Sequence, residues 1–324
     1  MKIDYYIFNS GTLSRNNFNV LFIDSDNKKK IIPIKTIENI FIFGKINLNS
    51  DLILYFGSCN INVHFFNHYS TYKSSITGVG LQHSGNTHLA QAKHCLDYDK
   101  RMYIARQFVI SGIWGMNKNL KSYNKGESIL NIKKIYDKIN NSSNIQELMG
   151  YEGYFRKLYY KRLGFIFKNF VFNKRIKRPP TDEINAMISF GNSLCYNFCL
   201  NAIKQTFLNS TISFLHESGE RRHSLCLDIS EIFKPIIIDR VILNLVNNNI
   251  IKKNMFIKDT DFCYISEKGK KIFIEAIENK LTSTFYYRKL NKTISYKSLI
   301  ISECHKLCKH ILCGEKYKSL KIDW

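Results

Sequence analysis

The stretch HLAQAKHCLDYDKRMYIARQFVISGIW, residues 88–114, decides how this chain divides. Within it Leu89, Leu96, Met102, Ala105 and Val109 share one broad apolar stripe at helical spacing, while Lys93, Lys100, Arg101 and Arg106 line other faces. Nothing upstream has that period. Residues 1 to about 75 hold short aromatic and β-branched runs: DYYIF, NVLFID, KKKIIPI, NIFIFG, LILYFG and INVHFF. Breaks such as Asn9-Ser10-Gly11 and Asp26-Asn27-Lys28 separate them, so they read as strands of a compact β domain. Gly78, Gly80 and Gly85 mark a linker. Downstream the period stays helical, with one polar excursion, 117–144, that fits a helical hairpin tip. The expectation is an α+β chain. A β domain spans 1–77, a linker 78–88, and a larger all-α domain 89–324.

Charge narrows the function. The 324 residues carry 48 Lys and Arg against 26 Asp and Glu, a net charge of +22. Residues 1–80 account for only +3 of this, so the helical part holds the rest. Self-repulsion of that size destabilises a fold, which argues against a role in solubility alone and for a polyanionic partner. Other RNA-binding roles stay open on charge alone. The first residues lack the apolar core of a signal peptide, and no run approaches a membrane span. Nine cysteines without a disulfide-like framework suit a reducing, cytoplasmic setting. Cys304, Cys308 and Cys313, interleaved with His305 and His310, lack the CxxC spacing of a zinc knuckle. Cys304, Leu307, Cys308 and Ile311 instead fall on one apolar helix face.

Three stretches carry candidate chemistry. In GYEGYFRKLYY, residues 150–160, Tyr151, Phe155, Leu158 and Tyr159 form an apolar helix face, with Glu152 beside it near the helix start. Alone, Glu152 is equally a first-turn carboxylate held by the helix dipole. RPPTDEINAMISFGNSLCYNFCLNAIKQTFL, residues 178–208, opens with a helix stop at Pro179 and Pro180 and a cap at Thr181. On this largely apolar helix Asn185 and Tyr196 are polar groups that either serve a site or satisfy core hydrogen bonds. FLHESGERRHSLCLDISEIFKP, residues 214–235, sets His216 after an apolar run and Asp228 and Glu231 three apart on a following helix. Hard divalent ions prefer carboxylate oxygen and, more loosely, imidazole nitrogen. In so basic a chain, Glu152, His216 and Glu231 therefore suggest a cation site within a surface that attracts polyanions.

These pieces together resemble the CRISPR-associated integrase family that captures new spacers, along nearly the whole chain. YYIFNSGTLSR (5–15) resembles the family's opening strand and turn, GYEGYFRKLYY its glutamate helix, and RPPTDEINAMISFGNSLCYN its central helix. FLHESGERRHSLCLDISEIFKPIIIDRVI resembles its histidine-to-acid segment, and FCYISEKGKKIFIEAIENKL (262–281) also fits. The resemblance implies a small N-terminal β-sandwich-like domain and an all-α catalytic domain, in a type I system. It implies ligation of Mg2+ or Mn2+ by Glu152, His216 and Glu231, with Asp228 close to the metal and Tyr196 near the DNA. Asn185 would support the metal site from behind. Glu231 departs from the aspartate frequent in relatives, which lengthens the arm and keeps the charge. Lys177, Arg178, Arg221, Arg222 and Lys234 are candidate phosphate contacts, or else solvated surface charge.

The implied reaction joins a 3′-hydroxyl of a short DNA fragment to a phosphodiester at a repeat edge by transesterification, with nuclease activity on branched DNA. Implied partners are double-stranded and branched DNA, a second copy of the chain, and a small ferredoxin-like protein. Two other readings stay in view: a basic metal-dependent nuclease without integration activity, and a noncatalytic nucleic-acid-binding scaffold.

Overall fold

Residues 2–67, 69–78, 84–123, 132–219, 223–287 and 291–322 are described by a computed structural model of the protein. The chain divides into two units, residues 1–81 and 82–324. In the first, β1 (Ile3–Ile7), β5 (Ile37–Ile42), β7 (Asn62–Phe66) and β8 (Tyr72–Ile76) form one sheet, ordered β1-β5-β7-β8. The second sheet is ordered β4-β3-β2-β6, from β4 (Lys29–Pro33), β3 (Asn19–Asp24), β2 (Gly11–Asn16) and β6 (Ile46–Asn47). Leu13, Val20 and Ile32 from one sheet and Ile7, Ile40, Ile42 and Val63 from the other share a buried core, as in a sandwich.

LILYFG, read above as a strand, is instead part of helix α1 (Ser50–Ser58). A short apolar run does not distinguish strand from buried helix. Here Asn49 Oδ1 accepts the Leu52 N–H at 3.0 Å and starts a helix that buries Leu52 and Phe56. Topology requires it as well: β5 and β7 run parallel, and parallel neighbours need a crossover.

The second unit is helical: α2 (Gly85–Leu96), α3 (Tyr98–Tyr123), α4 (Ile132–Asn140), α5 (Ile145–Ile166), α6 (Glu183–Lys204), α7 (Ser224–Phe233), α8 (Arg240–Asn247), α9 (Glu267–Thr282) and α10 (Tyr296–Cys313). Two small ribbons accompany the helices: β9 (Phe256–Lys258) with β10 (Cys263–Ile265), and β11 (Thr284–Tyr287) with β12 (Lys292–Ser295). Among the described residues no helix is long and apolar enough to cross a membrane.

The opening stretch proves to be two helices. Asp97 Oδ1 accepts the Lys100 N–H at 3.1 Å, capping α3 and ending the stripe. Met102, Ala105 and Val109 are buried, whereas Leu89 is 65% and Leu96 85% exposed. On α2 the buried residues are Thr87 and Gln91, and the Gln91 amide fastens the 209–212 loop through Asn209 O, Ile212 O and Asn209 N–H. Residues 85–88 belong to α2 rather than the linker, because Ser84 Oγ accepts the Thr87 N–H at 3.3 Å. Of the expected polar excursion, 117–123 belong to α3, with Asn117 and Asn119 buried, α4 packs on α3 and α5, and the tip, 124–131, lies outside the described residues.

Helix α7 lies against α3 and α6. Two glycines of α3 allow the approach. A Cβ at Gly112 would sit 3.0 Å from Glu231 O, and one at Gly115 would sit 2.8 Å from Pro235 Cγ. After α7 the helix widens into a π-helical turn, Lys234–Asp239, at Pro235, which has no N–H to continue the α-helical ladder.

Candidate active site

Glu152 stands on α5, and the helix starts earlier than its sequence face suggested. Asn144 Oδ1 accepts the Glu147 N–H at 2.8 Å, and Glu147 reaches back to the Ser143 N–H at 2.7 Å. Glu152 is therefore about two turns in, and the helix dipole does not explain it. Its carboxylate accepts from Arg156 Nε one turn on, and Arg156 Nη2 donates to Glu231 Oε2 on α7. Lys234 Nζ takes the other Glu231 oxygen at 2.7 Å and lies 4.7 Å from the centre of the Tyr196 ring on α6. Three helices thus meet in one charged cluster, whose Glu152 and Arg156 side chains are 19% and Glu231 10% exposed.

His216 is held by Asp228, which is fully buried on α7. Asp228 Oδ2 accepts the N–H groups of Phe214 and Leu215 at 2.7 and 3.0 Å. Its Oδ1 accepts His216 N–H at 2.9 Å and bonds His216 Nδ1 at 2.8 Å. With Nδ1 donating to the carboxylate, the lone pair lies on Nε2. Asp228 therefore positions the histidine rather than facing a ligand.

The charges shape one another. Burial would raise the Glu231 carboxyl, but the Arg156 guanidinium and Lys234 ammonium hold it down at about 2. Burial opposes the charged forms of Arg156 and Lys234 too; Glu231 with Glu152 at Arg156, and Glu231 with Tyr196 at Lys234, together outweigh it and raise both. Burial would lower the His216 imidazole. The Asp228 bond and charge, with that of Glu231, raise it instead, and Lys234 opposes them. A second polar chain runs behind: Asn119 Nδ2 donates to Tyr159 OH at 3.0 Å and to Pro235 O at 2.8 Å, and Tyr159 OH donates to Asp239 Oδ2 at 2.9 Å. Burial pushes Asp239 up to about 6.

Several expectations change. Asn185 does not back the metal ligands. Its oxygen accepts Ile176 N–H and Arg175 Nη1, each at 2.9 Å, and its amide donates to Lys174 O and Asp182 Oδ2. Three of these bonds hold the 174–176 segment against α6 and the fourth joins the helix cap, so both lone pairs and both N–H groups are spent. The cap of α6 is Asp182 rather than Thr181, with Oδ1 accepting the Asn185 N–H at 2.8 Å. Lys234, expected at DNA phosphates, is 6% exposed and committed to Glu231, one turn away on the same face. Lys177 and Arg178 are exposed. Burial and the charges of Arg175, Lys234 and Arg156 lower the Lys177 ammonium, which places it at the rim of the cluster. Arg221 and Arg222 lie outside the described residues. Cys304, Leu307, Cys308 and Ile311 form the apolar face read from their spacing.

Glu152, His216 and Glu231 are brought to one neighbourhood, but not into a coordination shell. Among the described residues no three His, Cys, Asp or Glu side chains are arranged to hold a metal ion, because the two carboxylates close on Arg156. The donor set nonetheless fits a hard divalent cation. Two carboxylates from different helices already converge on one positive group, and the imidazole beside them has its Nδ1 committed elsewhere. Arg156, Asn119 and Asp239 were not foreseen. Only Arg156 left a trace in the sequence, four residues after Glu152 on the same helix face.

A family model described as CRISPR associated protein Cas1 matches residues 5–279. The chain is 41% identical to "CRISPR-associated endonuclease Cas1 3" of Thermodesulfovibrio yellowstonii, over 99% of this chain and 99% of that protein. Among solved structures, a Cas1 protein from Thermotoga maritima superposes with a TM-score of 0.89 at 34% identity, covering 99% of this chain and 100% of that one. A casposase bound to integration product shares the fold, with a TM-score of 0.88 at 21% identity, covering 99% of this chain and 93% of that one. With this match over most of its length, and with acids on α5 and α7 meeting beside an oriented histidine, the chain belongs to the Cas1 family of CRISPR-associated proteins.

Proposed function

We propose that this protein is a metal-dependent DNA integrase and endonuclease that joins 3′-hydroxyl ends of short DNA fragments to repeat phosphodiesters. The observation that carries this reading is the convergence of Glu152 and Glu231 on one cationic group, next to a histidine whose ring is fixed by a buried carboxylate. Glu152, His216 Nε2 and Glu231 would hold Mg2+ or Mn2+. A bound divalent ion there supplies electrophilic assistance at the attacked phosphate and acidifies the attacking hydroxyl. The chain's residues do the rest. Asp228 keeps Nε2 available, Lys234 holds one Glu231 oxygen in place, and Lys177 offsets charge that gathers on the phosphate oxygens. Arg178 and the other exposed cations hold the DNA backbone. One bond forms from the 3′-oxygen to phosphorus and one phosphodiester bond breaks, with no covalent enzyme intermediate.

The charge division supports an assembly. Residues 1–80 carry +3 and the remainder +19, so the helical unit is the DNA-facing one. We assign homodimerisation to residues 1–80 and expect a small ferredoxin-like partner to set the spacing of two active sites. The test is an integration assay with a short 3′-hydroxyl duplex and a supercoiled repeat plasmid, with and without that partner. Glu152→Gln, His216→Ala and Glu231→Gln should each lose joining and cleavage while keeping most DNA affinity. Cleavage that never consumes a 3′-hydroxyl would favour a simple nuclease. A strict monomer by light scattering, with and without the partner, would remove the assembly.

A further inference from the structure

We infer that Arg156 is a placeholder cation that couples metal loading to the arrival of DNA. This rests on the metal-dependent reading of the same site. Arg156 is the group through which α5 and α7 meet: Nε engages Glu152 and Nη2 engages Glu231. Lys234 Nζ occupies the remaining Glu231 oxygen at 2.7 Å. The four side chains carry two negative and two positive charges and are 7–19% exposed, so the cluster is neutral and largely shielded. A divalent cation entering with Arg156 in place would leave the four and the ion with a net +2 in a weakly screened site, which is strongly disfavoured. The same carboxylate oxygens also cannot serve a guanidinium fork and a metal fully at once.

Arg156 therefore has to give up its carboxylates as the metal takes them, and its charge then needs a new partner. A DNA phosphate is the suitable one, since a guanidinium fork matches phosphate as well as it matches carboxylate. The exposed Lys177, whose charge interacts with both Arg156 and Glu152, marks the side from which a phosphate would come. Metal and DNA then bind with positive coupling, and by linkage each tightens the other by the same factor. A protein without DNA would hold its metal weakly, which limits stray hydrolysis.

The test measures Mn2+ binding to the full-length protein by calorimetry, with and without a short duplex carrying 3′-dideoxy ends so that no joining occurs. In the wild type the duplex should tighten Mn2+ at least tenfold. In Arg156→Gln, Mn2+ should bind at least tenfold tighter without DNA, and the duplex should add less than threefold. Arg156→Lys, which keeps the charge but cannot span both carboxylates, should fall between. An Arg156→Gln affinity equal to or weaker than wild type, or less than twofold coupling in the wild type, would overturn the inference. The wild-type coupling stands as a test even where Arg156→Gln folds poorly. Mn2+ binding left unchanged by Glu231→Gln would refute the metal site itself, whatever Arg156 does.

Discussion

Replacing Asp228 by Asn separates a positioning role from a chemical one. Asp228 accepts four hydrogen bonds, two at each oxygen, from three consecutive backbone N–H groups and His216 Nδ1. In Asp228→Asn one oxygen becomes an NH2 that faces two donors. Two bonds to a charged acceptor are lost, each contributing about 1.5–3 kcal/mol, so the variant should lose about 3–6 kcal/mol. That is a large share of the roughly 5–15 kcal/mol that stabilises an ordinary domain. Urea unfolding followed by far-ultraviolet circular dichroism reads the loss. Nitrogen-15 NMR of the imidazole reads the second consequence: wild-type His216 should carry its proton on Nδ1, and the variant should lose that preference. A variant within about 1 kcal/mol of wild type with the tautomer unchanged would refute the positioning role.

Gly115→Ala should destabilise the helical unit by about 1–3 kcal/mol, because the new methyl meets the rigid Pro235 ring at 2.8 Å. Thermal unfolding checks it, and an unchanged midpoint would mean that α3 and the π-helical turn after α7 are less tightly apposed than described. Asp239 ionises near 6 when folded against an ordinary value of 3.8, so the native state binds the proton more tightly in that window. Its contribution to stability is full below about 3.8 and is lost as pH rises through 6, about 3 kcal/mol in all. Unfolding free energies from urea titrations should accordingly shift in favour of Asp239→Asn over wild type by about that amount between pH 4 and pH 7, and a constant gap would contradict the raised ionisation. Lys177→Ala with Arg178→Ala should weaken DNA binding across sequences and flatten the dependence of log affinity on log salt by about two units. A slope equal to wild type in a salt titration would remove both from the interface.

The sequence by itself determined the two-part character of the chain, since a change in hydrophobic period from strand-like to helical is local information. Charge pointed to a polyanionic partner, and the apolar face of α10 was legible from Cys304, Leu307, Cys308 and Ile311 because 3.6-residue spacing needs no tertiary knowledge. Motif spacing also singled out Glu152, His216 and Glu231. Local pattern failed where a polar side chain overrode it. Asp97 broke one stripe into two helices, and Asn49 turned an apolar run into α1. What each polar residue does was decided only by the tertiary structure. Asp228 and Glu231 sit three apart on one helix, yet one turns to backbone N–H groups at 214–216 and the other to Arg156 on α5. Asn185, a promising polar residue on an apolar helix, spends its amide on the 174–176 segment and on the Asp182 cap. Hydrogen bonds and ion pairs are directional and reach a few ångströms across space, so their partners lie 75 residues apart as readily as three. Only the packing of α3, α5, α6 and α7 determines which donors and charges meet.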